Sequence, residues 1–86
     1  MNPRQQTSPE PLSGRTVLDL RGGGCAWCIL KIKSLLKEMR PGQTLEVLVT
    51  DPGMVEDLTA VLAAGRDRLV KSAQERGFRR IYLLKN

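Results

Sequence analysis

Residues 21–30 read RGGGCAWCIL and contain both cysteines of the 86-residue chain. Three glycines lead directly into a Cys-x-x-Cys pair, and a helical pattern follows at once. Glycine lets the backbone turn sharply and approach a neighbouring group closely. A helix start supplies unpaired N–H groups and a partial positive charge, which favour a thiolate over a thiol. The stretch therefore predicts a reactive cysteine with a lowered pKa at Cys25.

A first helix is predicted over residues 26–40. Its apolar side chains follow helical spacing: Ile29, Ile32, Leu35, Leu36 and Met39. Because a helix turns by about 100° per residue, Cys28 falls within this apolar arc and Trp27 falls well outside it. We therefore expect Cys28 to face the core and Trp27 to face solvent. Pro41 and Gly42 predict the end of the helix.

Strand patterns lie on both sides of this helix. Residues 16–20 precede it, with Leu18 and Leu20 on one face. Residues 44–50 are mostly apolar and β-branched, which is typical of a central strand, and residues 79–84 form a last alternating segment. Alternating strands and helices indicate an α/β domain with helices on one face.

Between the central and last strands, a turn and a second helix are predicted. Asp51 and Pro52 begin the turn, and Asp51 is expected to cap a helix over residues 54–64. The side chains expected to face the core are Val55, Leu58, Val61 and Leu62. Residues 69–77 fit a third helix or an outer strand equally well, because their periodicity does not separate the two.

Composition indicates one small domain, with 41% hydrophobic and 27% charged residues. Residues 1–14 hold three prolines and few apolar side chains, so we predict a disordered leader before a folded domain at 15–86. An apolar signal core and a membrane-length apolar run are both lacking in the sequence. These patterns predict a cytoplasmic protein with no membrane partner.

Histidine is absent from the chain, which excludes imidazole bases and histidine metal ligands. Two cysteines are half of a four-thiolate zinc site, and one close pair is not a disulfide framework. We predict no metal and no cofactor. The net charge of +5 is uneven: residues 41–65 hold only acidic charges, whereas residues 66–86 hold seven basic side chains. Such asymmetry suits docking on an acidic partner or on an RNA–protein complex.

The spaced set of motifs resembles the TusA/SirA-like sulfur-carrier family. The matching residues are Asp19, Gly22, Cys25, Pro41, Gly42, Thr44, Leu45, Asp51, Pro52, Asp57, Leu69 and Val70. The likeness spans residues 16–86. This sequence has Cys-Ala-Trp-Cys where the family usually has Cys-Pro-x-Pro, and Gly24 stands where an arginine is common. Without a proline in the first turn, the helix start is less restrained.

The resemblance implies an α+β fold, a two-layer α/β sandwich with the order β-α-β-α-β-β. Its four-stranded mixed sheet would carry two helices on one face, and residues 69–77 would then include a strand. The resemblance also implies that Cys25 carries sulfur as a persulfide. A protein donor, such as a cysteine desulfurase or a rhodanese-like protein, would supply it, and a protein acceptor would take it. Such a chain is a relay carrier rather than a stand-alone enzyme.

Cys28 leaves alternatives open. A free thiol that reached a Cys25 persulfide would expel sulfide and close a disulfide. Cys28 is therefore either a structural core residue or a resolving cysteine, and in a further alternative the two cysteines form a dithiol–disulfide redox pair. The helical phase favours the core position.

Three side chains of the first helix are candidates for partner docking: Trp27, Lys31 and Lys33. An exposed tryptophan is enriched at binding hot spots, and the two lysines lend positive charge. A small basic module that binds RNA or protein is the remaining alternative, although few aromatics are present to stack bases. We expect contact with nucleic acid only indirectly, through a partner protein.

Overall fold

A computed structural model describes residues 15–86. The elements in chain order are β1 (Arg15–Asp19), α1 (Cys25–Glu38), β2 (Thr44–Val49), α2 (Met54–Leu62), β3 (Arg68–Gln74) and β4 (Arg79–Leu84). The predicted disordered leader lies outside the described residues. The element order β-α-β-α-β-β is confirmed, and the segment that periodicity left open is a strand.

The four strands form one mixed sheet in the order β1-β2-β4-β3. Strands β1 and β2 are parallel, whereas β4 is antiparallel to both of its neighbours. Because β1 and β2 run the same way, their carboxyl ends lie at the same edge of the sheet. Helices α1 and α2 follow these two ends, so both helices begin at that edge.

The core lies between one face of the sheet and the two helices. Side chains from β2 and β4 that pair across the sheet, such as Val47 with Ile81, have no exposed surface. They form one cluster with the buried residues of α1 and α2, which are Cys28, Ile32, Leu36, Met54, Leu58 and Leu62. The α+β sandwich with two helices on one face is thereby confirmed. Met54 was missing from the predicted inward residues of α2.

Strand β3 contains an irregularity that explains its ambiguous sequence pattern. The register with β4 shifts between Leu69 and Lys71, as in a β-bulge. A bulge inserts one residue and breaks the alternation of faces, so the two-residue period that identifies a strand is interrupted. The hairpin to β4 turns at Gly77, whose φ of +85° suits glycine.

The predicted cap of α2 is wrong. The N-cap residue is Gly53, and Asp51 lies two residues earlier. Its Oδ1 accepts a hydrogen bond from the backbone N–H of Gly53 at 2.9 Å, as in an Asx turn. Asp51 thus shapes the turn before α2, and the acidic residues of the first helical turn are Glu56 and Asp57.

Helices long and apolar enough to cross a membrane are absent from residues 15–86.

Candidate functional site around Cys25

The glycine loop between β1 and α1 is held to the sheet by its backbone. Gly22 has a φ of +89°, which only glycine adopts readily, and its N–H donates to Thr50 Oγ1 at 2.8 Å. Next to it, the N–H of Gly23 donates to the Leu20 carbonyl at 3.1 Å. The predicted sharp turn is therefore present, and its position is fixed relative to the end of β2.

A salt bridge anchors the entry to this loop. The Arg21 guanidinium donates to both carboxylate oxygens of Asp19, at 2.9 and 2.8 Å. Its side-chain hydrogen bonds lower the pKa of Asp19 below the usual carboxyl value. The same guanidinium lies 5.1 Å from the ring centroid of Phe78, with Arg80 at 5.5 Å from that ring. The loop is thus tied to the turn between β3 and β4.

Cys25 is the first residue of α1, one position earlier than the predicted helix start. Gly24 is the N-cap, with extended backbone angles of φ −77° and ψ 165°, and it has no side-chain oxygen to cap the helix. The Gly24 carbonyl accepts the Cys28 N–H at 3.0 Å. Cys25 is partly exposed, so its thiol stands at the helix start with access from solvent.

The state of the Cys25 thiol differs from the sequence-based expectation. Its Sγ donates to Asp57 Oδ2 at 2.7 Å. The hydrogen bond to Asp57, partial burial and the neighbouring charges of Asp57 and Asp51 raise the pKa of Cys25 to about 11. The predicted lowering of this pKa is therefore wrong. A carboxylate acceptor favours the protonated thiol, and here it outweighs the helix start.

Cys28 is fully buried, as the helical phase predicts. Its Sγ lies 3.7 Å from the Leu20 carbonyl oxygen, to which the S–H donates weakly. Burial is the main cause of a raised pKa for this thiol. Both cysteines are free. One cysteine therefore meets solvent and the other lies within the core, although both belong to the first turn of the same helix.

Trp27 covers the backbone that separates Cys28 from solvent. A Cβ added to Gly23 would overlap two ring carbons of Trp27 and lie 3.3 Å from Cys28 Sγ. The indole therefore packs on Gly23, with Cys28 directly beneath. Trp27 remains 47% exposed, which confirms its predicted outward direction. Lys31 Nζ lies 5.7 Å from the Trp27 ring centroid, so these two docking candidates are adjacent.

Most of the remaining predicted residues lie near one of the two ends of α1. Asp19, Gly22, Gly24 and Asp51 surround the helix start with Cys25. Pro41 and Gly42 lie beyond the other end of α1, where the Gly42 N–H donates to the Lys85 carbonyl at 2.8 Å. Pro52 lies in the turn before α2, and Lys33 is exposed on α1 beside a groove of about 270 Å³ between the helices.

Asp57 is the site residue whose role sequence reasoning missed. The sequence identifies it only as a residue that matches the family pattern, with no connection to Cys25. The signal was available in the topology, since parallel β1 and β2 place the starts of α1 and α2 at the same edge of the sheet. Groups of three or more His, Cys, Asp or Glu side chains able to hold a metal are absent from residues 15–86.

Comparison with known proteins places this chain in a family. The sulfurtransferase TusA family matches residues 16–85. The sulfur carrier protein TusA of Allochromatium vinosum is 40% identical over 60 residues, which cover 70% of this chain and 79% of that protein. The YrkI protein of Bacillus subtilis, provisionally named a sulfur carrier, is 39% identical over 69% of this chain and 79% of its own length. The predicted resemblance is confirmed, and the chain belongs to the TusA family of sulfur carriers.

Proposed function

We propose that Cys25 carries sulfur as a persulfide and passes it between a donor protein and an acceptor protein. The observation that carries this proposal is the contrast in accessibility between two neighbouring thiols. Cys25 is partly exposed at the start of α1, whereas Cys28 has no exposed surface. A donor can reach Cys25, whereas burial raises the pKa of the Cys28 thiol and so disfavours the thiolate that would discharge the persulfide.

The transfer itself requires little from this chain. The Cys25 thiolate attacks the terminal sulfur of a donor persulfide, the donor S–S bond breaks, and the donor cysteine leaves as a thiolate. The new S–S bond on Cys25 preserves the oxidation state of the transferred sulfur, so the step consumes no oxidant or reductant. Delivery to an acceptor repeats the same exchange. The chain acts as a relay, with donors of the cysteine desulfurase or rhodanese-like class.

The docking surface that we propose is the outer side of α1 near Cys25. Trp27 is 47% exposed and Leu30 is 63% exposed, and both lie within the first two turns of the helix. Lys31 and Lys33 are exposed beside them. An apolar anchor with adjacent cations suits a partner surface that is apolar at its centre and acidic at its rim.

The alternatives have weaker support. A dithiol–disulfide pair requires the Cys28 sulfur to leave the core. In the basic β3–β4 region, Arg80 is bound by Glu46 and Glu75, the latter at 3.2 Å, so this arginine is not available to an RNA phosphate. Two free cysteines suit a reducing compartment, and we place this relay in the cytoplasm.

The test is to load the reduced protein and locate the sulfur by intact and peptide mass spectrometry. One arm uses inorganic polysulfide, which needs no docking, and the other uses a cysteine desulfurase with cysteine. We expect one added sulfur on the Cys25 peptide, absent in Cys25→Ser and retained in Cys28→Ala. Sulfur on Cys28, or equal loading of Cys25→Ser, would overturn the proposal.

A separate comparison with a control variant tests the proposed docking surface. In the desulfurase arm, Trp27→Ala should slow loading at limiting donor by roughly tenfold, as expected for loss of a hot-spot contact. Val70→Ala removes a similarly exposed apolar side chain from β3 and should leave the rate unchanged. Polysulfide loading should be the same for both variants. Equal desulfurase rates for both variants would exclude Trp27 as the anchor.

A further inference from the structure

The Cys25 thiol is surrounded by negative charge. Its hydrogen-bond acceptor is Asp57 in the first turn of α2, at 2.7 Å. Asp51, in the turn before α2, adds a second negative charge that acts on the same thiol. The two carboxylates lie near each other, since a Cβ at Gly53 would be 3.6 Å from Asp51 Oδ1 and 3.9 Å from Asp57 Oδ2. The two carboxylates lie near Cys25 because the parallel strands β1 and β2 bring the starts of α1 and α2 to the same edge of the sheet.

Positive side chains near the site are occupied elsewhere. Arg21, in the loop before α1, is bound to Asp19. Lys31, on α1, lies over the Trp27 ring. The ion pairs found within residues 15–86 do not include Asp57. The remaining acidic side chain of the first turn of α2 is Glu56, for which the structure gives no contact with Cys25. A chain with a net charge of +5 therefore presents a locally negative field at its reactive sulfur.

We infer that Asp57 is a gate on Cys25: it holds the unloaded sulfur as a thiol, and the partner surface that faces this sulfur carries a cation. This inference rests on the proposed relay function. When a lysine or arginine of the partner pairs with Asp57, the carboxylate no longer favours the proton on sulfur, the proton passes from the partly exposed Cys25 to water, and the thiolate becomes available for exchange. Asp57 acts through Cys25 and is a positioning residue rather than a catalytic one.

The gate explains how one chain can use two kinds of contact. The outer side of α1, with its lysines, faces the acidic rim of a partner. The edge with Asp51 and Asp57 requires the opposite charge within a short distance of the transferred sulfur. A partner that offers only acidic groups would dock without releasing the thiol. Charge complementarity at this edge thus contributes selectivity beyond the apolar contact.

The first test measures alkylation of Cys25 by iodoacetamide, a neutral reagent, over a range of pH. Alkylation follows the thiolate, so its rate in the natural sequence should keep rising with pH and reach half of its maximum only near pH 11. Asp57→Asn removes the charge with little change in shape. We expect roughly tenfold or faster alkylation at neutral pH, since a fall of one pKa unit gives a tenfold larger thiolate fraction. The pH profile should move to lower pH.

Two variants make this result specific. Glu56→Gln removes one charge from the same helical turn and should leave the rate within roughly twofold, as expected for a more distant exposed charge. Asp57→Glu keeps the charge and should react more slowly than Asp57→Asn. Circular dichroism verifies that each variant is folded. If Asp57→Asn reacts no faster than Glu56→Gln, Asp57 is not the gate.

The second test asks which charge the site accepts. Two methanethiosulfonates of similar size, one with an ammonium group and one with a sulfonate group, are compared as reagents. The net charge of the chain favours the anionic reagent, whereas the local field predicts faster reaction with the cationic one. That preference should fall in Asp57→Asn. A preference for the anionic reagent in the natural sequence would overturn the inference. Neither test uses a sulfur donor, so a failure of persulfide loading is distinguished from a failure of the gate.

Discussion

Cys25 and Cys28 lie about one helical turn apart on α1, yet their surroundings differ in almost every respect. Cys25 is partly exposed and bonded to a carboxylate from another helix, whereas Cys28 is fully buried and bonded weakly to a backbone carbonyl. Their pKa values are both raised, but for different reasons: a carboxylate acceptor at Cys25 and burial at Cys28. A Cys-x-x-Cys spacing alone does not therefore define a redox pair.

The difference arises from position along the helix combined with sheet topology. Cys28 shares the apolar stripe of α1 with Ile32 and Leu36, so packing of the helix on the sheet buries it. Cys25 lies on the same face and packs against the rim of the core, but it is the first residue of α1, at the edge where both helices begin, so it meets the first turn of α2. Of two thiols close in sequence, one is held in the core and the other meets a neighbouring charge at the surface.

The largest expected effect concerns selective labelling. In the native protein at alkaline pH, an alkylating reagent should modify Cys25 alone, because the Cys28 side chain has no exposed surface. Cys25→Ser should therefore take up no label until denaturant is added, when Cys28 reacts. Peptide mass spectrometry measures the sites. Labelling of native Cys25→Ser at the rate of an unfolded thiol would show that Cys28 is accessible.

A smaller effect is expected from Gly23→Ala, which disturbs the cover over Cys28. The new Cβ would overlap the Trp27 ring. Overpacking costs about 1 kcal/mol of unfolding free energy here, at the low end of the usual range, because the ring is half exposed and has room to move. Chemical denaturation measures the loss. Fluorescence of the single tryptophan should shift as the indole enters water.

Gly24→Ala is the matched control for this change. A Cβ at Gly24 meets no atom within 4 Å, and the backbone φ of −77° suits alanine. We expect little change in stability, since alanine restricts the unfolded chain but is a poorer N-cap than glycine. The same denaturation curve and emission spectrum for both variants would show that Trp27 does not pack closely on Gly23.

The smallest effect is expected from Asp19→Asn, which removes the salt bridge at the entry to the loop. The pair is half exposed, so its loss should cost less than about 1 kcal/mol near neutral pH. Because bonds from Arg21 lower the pKa of Asp19, this stabilisation is complete above the ordinary carboxyl pKa and is lost as pH falls through the lowered value. Denaturation of both proteins across acidic pH should show the difference vanish. A constant difference would indicate another cause.

The sequence was sufficient for the features that depend on local periodicity. The phases of Trp27 and Cys28 followed from the helical turn, and the two faces of β4 followed from alternation. The bulge in β3 breaks that alternation between Leu69 and Lys71, so the strand needed the family resemblance to be identified. The start of α1 and the ends of both helices differ from the predicted residues by one or two positions.

The features that sequence reasoning missed depend on contacts between distant residues. Asp57 lies 32 positions after Cys25, and the helix-start argument considered only the residues beside the thiol. The lowered pKa of Cys25 was therefore predicted from the helix start alone. The Asp57 carboxylate, which is distant in sequence, has the opposite effect and raises this pKa. The predicted cap of α2 was wrong for a related reason. Asp51 accepts a hydrogen bond from the Gly53 N–H and shapes the turn before the helix instead of capping it.

The central claim is that Cys25 bears the sulfur while Cys28 stays out of reach, and persulfide lifetime tests it most directly. The natural sequence and Cys28→Ala are loaded with polysulfide, freed of excess reagent and followed by intact mass spectrometry. We predict that both proteins keep the added sulfur equally long. If the natural sequence alone releases hydrogen sulfide and ends two hydrogens lighter than the reduced chain, with a Cys25–Cys28 disulfide, the two thiols meet and the account is wrong.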